Sequence, residues 1–354
     1  MNPRTTLGAA VVAAVALTGV PGSAQAVSPA RFLLGSGNSH FNGSPVSIQT
    51  TRSGSTYSLT DPTRPGLKCA NASGVVFTKP VDTWGNGLGT NLETACVDVM
   101  FGVQKFSDML AQWLGRNGID GAGGSYPARV GLNQFENQWN VSSVYFGRNQ
   151  ANTKQLVSLD MVTNEYGQVV FNTTGNGGGP AATPEGTALA ESTGDIFGAM
   201  NEHYVNHPVA LDEPDYTVGE EVNVYGAGPI RYMYNPSLAG HPNCYTSAPI
   251  TDPSSAAGPQ NHWFYLLAEG TNPPGKPASP VCWGPSTLTG LGIVKAGRIF
   301  YAGLQLKTYP WTHGKARAAT VHAAKTLFGC AEVNATKAAW TAVNVSPQAG
   351  EVTC

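Results

Sequence analysis

Residues 164–168 read Asn-Glu-Tyr-Gly-Gln and close an apolar run over 156–162. On a helix, positions i and i+4 share a face. Asp160, Asn164 and Gln168 therefore line up, and Glu165 stands one step round. Glu191 and Asp195 are also four apart, within Glu-Ser-Thr-Gly-Asp-Ile-Phe-Gly, flanked by apolar Leu189, Ile196 and Phe197. These residues bring carboxylates and neutral amides to one junction. Zinc prefers imidazole, thiolate and carboxylate, and an amide oxygen is a poor ligand for it. Asn164 and Gln168 are thus read as hydrogen-bonding groups. One histidine pair, His203 and His207, has ligand spacing, but Pro208 follows at once and the pair lies away from the junction. No metal is assigned to it. His40, His241, His313 and His322 form no ligand spacing.

The elements that must position these groups follow from periodicity. Residues 45–52 and 53–60 alternate polar with apolar and β-branched types between Gly and Pro turns, which predicts strands. Residues 94–114 carry apolar side chains at helical spacing, from Val97 to Trp113. Residues 128–147 predict further strands. Helices are predicted over 160–170 and 187–204, separated by a Gly-rich stretch at 175–180. Further helices are predicted over 263–269, 288–307, 315–327 and 332–343. The first half is β-rich and the second helix-rich, with a site helix at the junction. The expected division is a β-rich N-terminal lobe over 27–165 and a helical C-terminal lobe over 166–354.

Composition narrows the class. The chain has 354 residues, with 41% hydrophobic content, enough for a substantial core. Charged residues make up 12% and the net charge is −2, which argues against nucleic-acid or anionic-membrane partners. Residues 1–26 have the build of a cleaved secretory leader: Arg4, an apolar stretch over 7–20, then Ala24-Gln25-Ala26. No later segment approaches the ~20 apolar residues of a spanning helix. Six cysteines in an exported chain imply disulfides. Fifteen pairings are formally open; the expectation is neighbour pairing, Cys69–Cys96, Cys244–Cys282 and Cys330–Cys354. A secreted monomer is expected.

The segments at 164–168 and 191–198, Gly-Pro-Ile-Arg-Tyr-Met at 228–233 and the apolar helix at 261–267 together resemble the thermolysin-like neutral metallopeptidases of the secreted actinobacterial type. The resemblance runs over nearly all of 32–347. It implies an α+β fold of two lobes with the site in the cleft between them. In that family a helical H-E-x-x-H supplies two zinc-binding histidines and a glutamate base. Asn164 and Gln168 stand where the histidines belong, and Glu165 alone remains. Glu191 matches the third zinc ligand. Asp195 matches the carboxylate that orients a zinc-bound histidine.

Other family positions have also changed. The oxyanion histidine lies seven residues before an Asn that opens an apolar helix; counting back from Asn261 gives Ser254. His262 comes too late and is read as a helix-face residue. The family's oxyanion tyrosine should lie between the two metal helices, yet residues 167–190 contain no Tyr. The substrate-clamping Asn falls at Glu136 or Asn137, just before Trp139. Arg231 matches the arginine beside the primed-side pocket. Asp160, Glu202, Asp215 and Glu220 match carboxylates that bind structural calcium, a cation that takes hard oxygen ligands. Residues 27–60 already read as strands of the mature domain, so no long propeptide is expected.

The resemblance thus implies a secreted pseudopeptidase: calcium kept, zinc lost, Glu165 idle, and a cleft able to bind a peptide or secreted protein without cutting it. The rival reading is an active secreted zinc metalloendopeptidase with an atypical metal site. A purely structural secreted protein is a third.

Overall fold

The computed structural model describes residues 31–176 and 183–354. The leader assigned to 1–26 lies outside the described residues.

The N-terminal part is built on two sheets and one long helix. Its strands are β1 (Arg31–Gly37), β2 (Val46–Ser53), β3 (Thr56–Ser58), β4 (Cys69–Asn71), β5 (Thr78–Lys79) and β6 (Thr83–Trp84). Helix α1 (Leu92–Leu114) follows, then β7 (Ala128–Val130), β8 (Gln138–Asn140) and β9 (Ser143–Phe146). One sheet runs β5-β3-β2-β1-β6 and the other β4-β7-β9-β8. β1 and β2 pair antiparallel, Leu34 opposite Gln49. Val46, Ile48 and Thr50 of β2 are buried and Ser47 is exposed, the alternation of a half-buried strand. Asn91 caps α1 by accepting from the Thr94 amide at 2.8 Å. Buried Val97, Met100, Val103 and Phe106 turn one face of α1 into the core.

The C-terminal part is mainly helical. It comprises α2 (Leu159–Asn172), α3 (Pro184–Val205), a hairpin of β10 (Thr217–Val218) and β11 (Arg231–Tyr232), then α4 (Pro253–Ala256), α5 (Gly258–Ala268), α6 (Ile293–Gln305), α7 (His313–Leu327) and α8 (Cys330–Ala342). Among the described residues no helix is long and apolar enough to cross a membrane. Disulfides join Cys69–Cys96, Cys244–Cys282 and Cys330–Cys354, the neighbour pairing.

Two helices start five residues away from their predicted starts, for local reasons. Residues 288–292 were expected to be helical. Instead Thr289 bridges Gly270, and Gly292 takes φ 82°, so α6 starts only at Ile293. α5 begins five residues before Trp263, because Pro259 in its first turn needs no amide partner.

α2 and α3 carry the site, and glycine lets them approach. A Cβ on Gly167 would stand 2.9 Å from Gly194 Cα and 3.2 Å from the Phe197 ring. One on Gly194 would stand 2.6 Å from both the side-chain nitrogen and the carbonyl oxygen of Asn164. Gly167→Ala should therefore push the helices apart and cost about 1–3 kcal/mol. The check is a lower denaturant midpoint with an unchanged slope.

Candidate active-site cleft

α2 presents Asn164, Glu165 and Gln168 on its cleft side, and α3 presents Glu191 and Asp195 opposite them. Asp195 is 1% exposed and accepts four side-chain donors: Asn164 Nδ2 at 2.8 Å, Arg231 Nε at 2.7 Å, Arg231 Nη2 at 2.8 Å and Asn261 Nδ2 at 2.7 Å. Asn261 is itself held by the Ser192 hydroxyl, which donates to its Oδ1 at 2.6 Å. Asn164 Nδ2 also reaches the Glu191 carbonyl, at 3.4 Å.

Both carboxylate oxygens of Glu191 are occupied. Arg231 Nη2 pairs with Oε1 at 2.9 Å. Gln168 Nε2 donates to Oε2 at 3.2 Å and to Asn164 Oδ1 at 3.0 Å. One guanidinium and three amides thus close a network over two carboxylates. Burial raises the Glu191 carboxyl, and Arg231 draws it back down. Burial works against the Arg231 charge, but Asp195 and Glu191 outweigh it and hold the proton more firmly than usual. Glu165 differs: no hydrogen bond engages its carboxyl among the described residues. Burial, then the neighbouring Glu191, pushes that carboxyl well above the usual range.

The cleft measures about 410 Å³. Glu136, Asn137 and Trp139 form one wall, and Ser254 of α4 and His241 face it with Arg231. The Asn137 amide is spent on backbone: Nδ2 donates to Leu156 O at 2.9 Å, and Oδ1 accepts from Gly147 N at 3.0 Å. It braces the wall. Arg231 lines the cleft as expected, but its donors are turned onto Asp195 and Glu191, which limits what it can offer a ligand.

The donor set does not fit zinc. Asn164 and Gln168 offer amides, and Glu191 has neither oxygen free. His241 does not gather with Glu165 and Glu191 into a three-ligand group among the described residues. His203 and His207 diverge: His203 Nδ1 bonds Ala199 O at 2.8 Å, and His207 Nε2 lies 3.2 Å from Asn42 Oδ1. His262 is fully buried between Asn243 O and Ser279 Oγ, each at 2.9 Å, a packing role.

A second acidic group sits behind the cleft. Ligand oxygens of Asp160, Glu202 and Glu220 lie within 4.8 Å of one another. Asp160 Oδ1 accepts from the Ser158 hydroxyl at 2.5 Å and Oδ2 from Gly219 N at 2.6 Å. Glu202 Oε1 and Glu220 Oε1 are buried without a partner among the described residues. Burial, then repulsion from Asp212 for Glu202 and from Asp160 for Glu220, pushes both well above the usual carboxylate range. Orphaned oxygens in an all-oxygen donor set are what a calcium ion satisfies, so these residues fit that ion.

Of the four carboxylates expected together, Asp215 stands apart from the other three. It adjoins the group, its amide 3.5 Å from Glu202 Oε2, but it lies outside the three-carboxylate cluster. Its Oδ1 accepts from Thr217 N at 2.6 Å, which turns the carboxylate back on its own loop.

Sequence reasoning missed Asp212 and His241. Asp212 is buried, and burial with repulsion from Asp160 raises its carboxyl to about 8. The acid-rich run from Asp212 to Glu221 was its only signal. His241 stands in irregular chain, where no periodicity points to the cleft. Its Nδ1 is buried and unpartnered among the described residues, and burial, then Arg231, lowers its pKa.

The geometry has clear relatives. Residues 34–172 match the thermolysin metallopeptidase catalytic domain, and residues 183–345 match the thermolysin metallopeptidase alpha-helical domain. The chain belongs to the thermolysin metallopeptidase family. It is 35% identical over 334 residues to a transglutaminase-activating metalloprotease of Streptomyces mobaraensis, covering 89% of this chain and 43% of that protein. It is 32% identical over 322 residues to a bacillolysin of Bacillus cereus, covering 86% of this chain and 54% of that protein. The chain thus spans about half the length of the curated relatives it matches. The fold resembles a protealysin precursor from Serratia proteamaculans, with TM-score 0.58 and 18% identity over 80% of this chain and 88% of that one.

Proposed function

We propose that this protein is a secreted thermolysin-family pseudopeptidase that binds a peptide or an extended protein segment in its cleft without hydrolysing it. The observation that carries this reading is the occupied state of Glu191. Arg231 and Gln168 engage its two oxygens, at 2.9 and 3.2 Å, where the family would have a metal. Asn164 likewise occupies Asp195, the family partner of a zinc-bound histidine. Family chemistry needs zinc to polarise the scissile carbonyl and to activate water. Here Glu165 has no metal-bound water to deprotonate, and Ser254 is too short and too weakly basic to replace an oxyanion histidine. An oxyanion donor is typically worth about 3 kcal/mol of barrier, and nothing in the cleft substitutes for the metal.

The cleft keeps binding features. Trp139, Met161, Val224 and Ile230 supply apolar wall, and Glu136 and Ser254 supply polar edge. Such a mixture suits side chains of an extended segment. A structural calcium at Asp160, Glu202 and Glu220 would keep α2, α3 and the β10–β11 hairpin in register. It takes no part in the chemistry.

The test is a protease assay on casein and on peptide amides. The purified protein should show no cleavage above background, and neither a chelator nor Glu165→Gln should change the result. Fluorescent peptides should nonetheless bind saturably and quench Trp139. Chelator-sensitive cleavage that disappears in Glu165→Gln would establish the active-enzyme reading instead.

A further inference from the structure

Behind the wall that carries His241 and Ser254 lies a separate cavity of about 230 Å³. The next residues along the chain, Pro242 and Ser255, line it, so the two spaces are back to back. Its lining also includes Tyr245, Ile250, Pro259 and His313. His313 is 1% exposed at the start of α7. Its Nδ1 lies 2.8 Å from Glu185 Oε1, and its backbone amide donates to the same oxygen at 2.9 Å. The Tyr245 and His313 ring centroids are 4.7 Å apart. The opposite ring nitrogen, Nε2, is buried with no partner among the described residues.

This arrangement has a chemical consequence. In the Nδ1–H tautomer that a carboxylate partner favours, Nε2 is the ring's acceptor. A buried acceptor left unpaired costs stability, and here a ligand in the cavity can relieve it. We infer that this cavity is a binding site for a small neutral phenol-class group, whose ring contacts the proline and isoleucine wall and whose hydroxyl donates to His313 Nε2.

Size and charge support that class. An apolar cavity of about 150 Å³ is enough for benzene, so a substituted phenol fits. An anion would meet Asp252, which also lines the cavity. An ammonium would find only the exposed Asp252, whose Oδ1 already accepts from the Ser254 amide at 3.1 Å, because Glu185 already accepts two His313 donors. The group can come from a free phenol or from a tyrosine side chain of a bound peptide.

The test uses the intact protein and two probes, p-cresol and N-acetyltyrosinamide, with toluene as the control that lacks the hydroxyl. Binding is followed by nuclear magnetic resonance of the histidine ring nitrogens. p-Cresol should move the His313 Nε2 signal and bind about ten-fold tighter than toluene, the worth of one well-made hydrogen bond. A matching shift with N-acetyltyrosinamide assigns the site to peptide side chains; a shift with cresol alone assigns it to free phenols. Either supports the site. His313→Phe should abolish the preference over toluene. If that variant does not fold, the comparison on the unaltered protein decides. Equal binding of cresol and toluene, a shift confined to other histidines, or no binding at millimolar concentration overturns the inference.

Discussion

Withdrawing calcium should lower the melting temperature by several degrees, and the loss should be larger near pH 8 than near pH 5. A ligand that binds only the folded state at a hundred times its Kd stabilises it by about 2.7 kcal/mol. Asp160, Glu202 and Glu220 are the residues that would hold the ion, with Asp212 and Asp215 adding negative charge beside them. The pH dependence follows from the carboxyl groups of the metal-free protein. Their folded pKa values are raised, for Asp212 to about 8, whereas unfolded carboxylates titrate near 4. Between those values the folded state binds more protons than the unfolded one, so stability falls as pH rises. The contribution is fully present below about pH 4 and is lost through about pH 8. A bound calcium ion compensates the ionised carboxylates and removes that loss. Melting curves in chelator and in millimolar calcium, at both pH values, check this. A calcium effect that is absent, or equal at the two pH values, contradicts the assignment.

Asn164→His with Gln168→His should create zinc binding where the proposed reading expects none in the unaltered protein, and should do so before it creates activity. A partner that merely orients a ligand is worth 10–100-fold in metal affinity. Two restored ligands should therefore raise affinity by more than about a thousand-fold. Replacing Gln168 also frees Glu191 Oε2, which Gln168 now occupies at 3.2 Å. Replacing Asn164 gives Asp195 an imidazole to orient. Arg231 keeps its hold on Glu191 Oε1 at 2.9 Å, so the new site should remain weaker than one in which that glutamate is unencumbered. Turnover should need Ser254→His as well, since metal alone supplies no oxyanion donor on that side. Calorimetric titration with zinc and a casein assay separate the two stages. Zinc affinity unchanged in the double variant would show that the scaffold no longer presents a metal site.

Much of this was legible in the sequence, because helices write their faces into local spacing. Glu191 and Asp195, four apart between apolar neighbours, could be placed on one helical face, and so could Asn164 and Gln168. Disulfide neighbours were a sound expectation because each pair closes a short loop, of 24 to 38 residues. What escaped depends on chain that carries no period. Asp212 and His241 sit in irregular segments, and only the fold brings them to their sites. The direction of Arg231 was equally hidden: its type and position read as ligand-facing, yet two carboxylates of α3, the buried Asp195 and the half-buried Glu191, claim its donors. The position of Asp215 was hidden for the opposite reason. Its acidic character was plain, but its local turn with Thr217 competes for the carboxylate.

The most direct measurement is the zinc content of the untagged protein after equilibration with zinc and exhaustive dialysis. The occupied oxygens of Glu191 and the amides at 164 and 168 predict well under one zinc per chain, unchanged by Glu191→Gln. One tightly held zinc per chain, lost in Glu191→Gln, would contradict the account and return this protein to the active peptidases of its family.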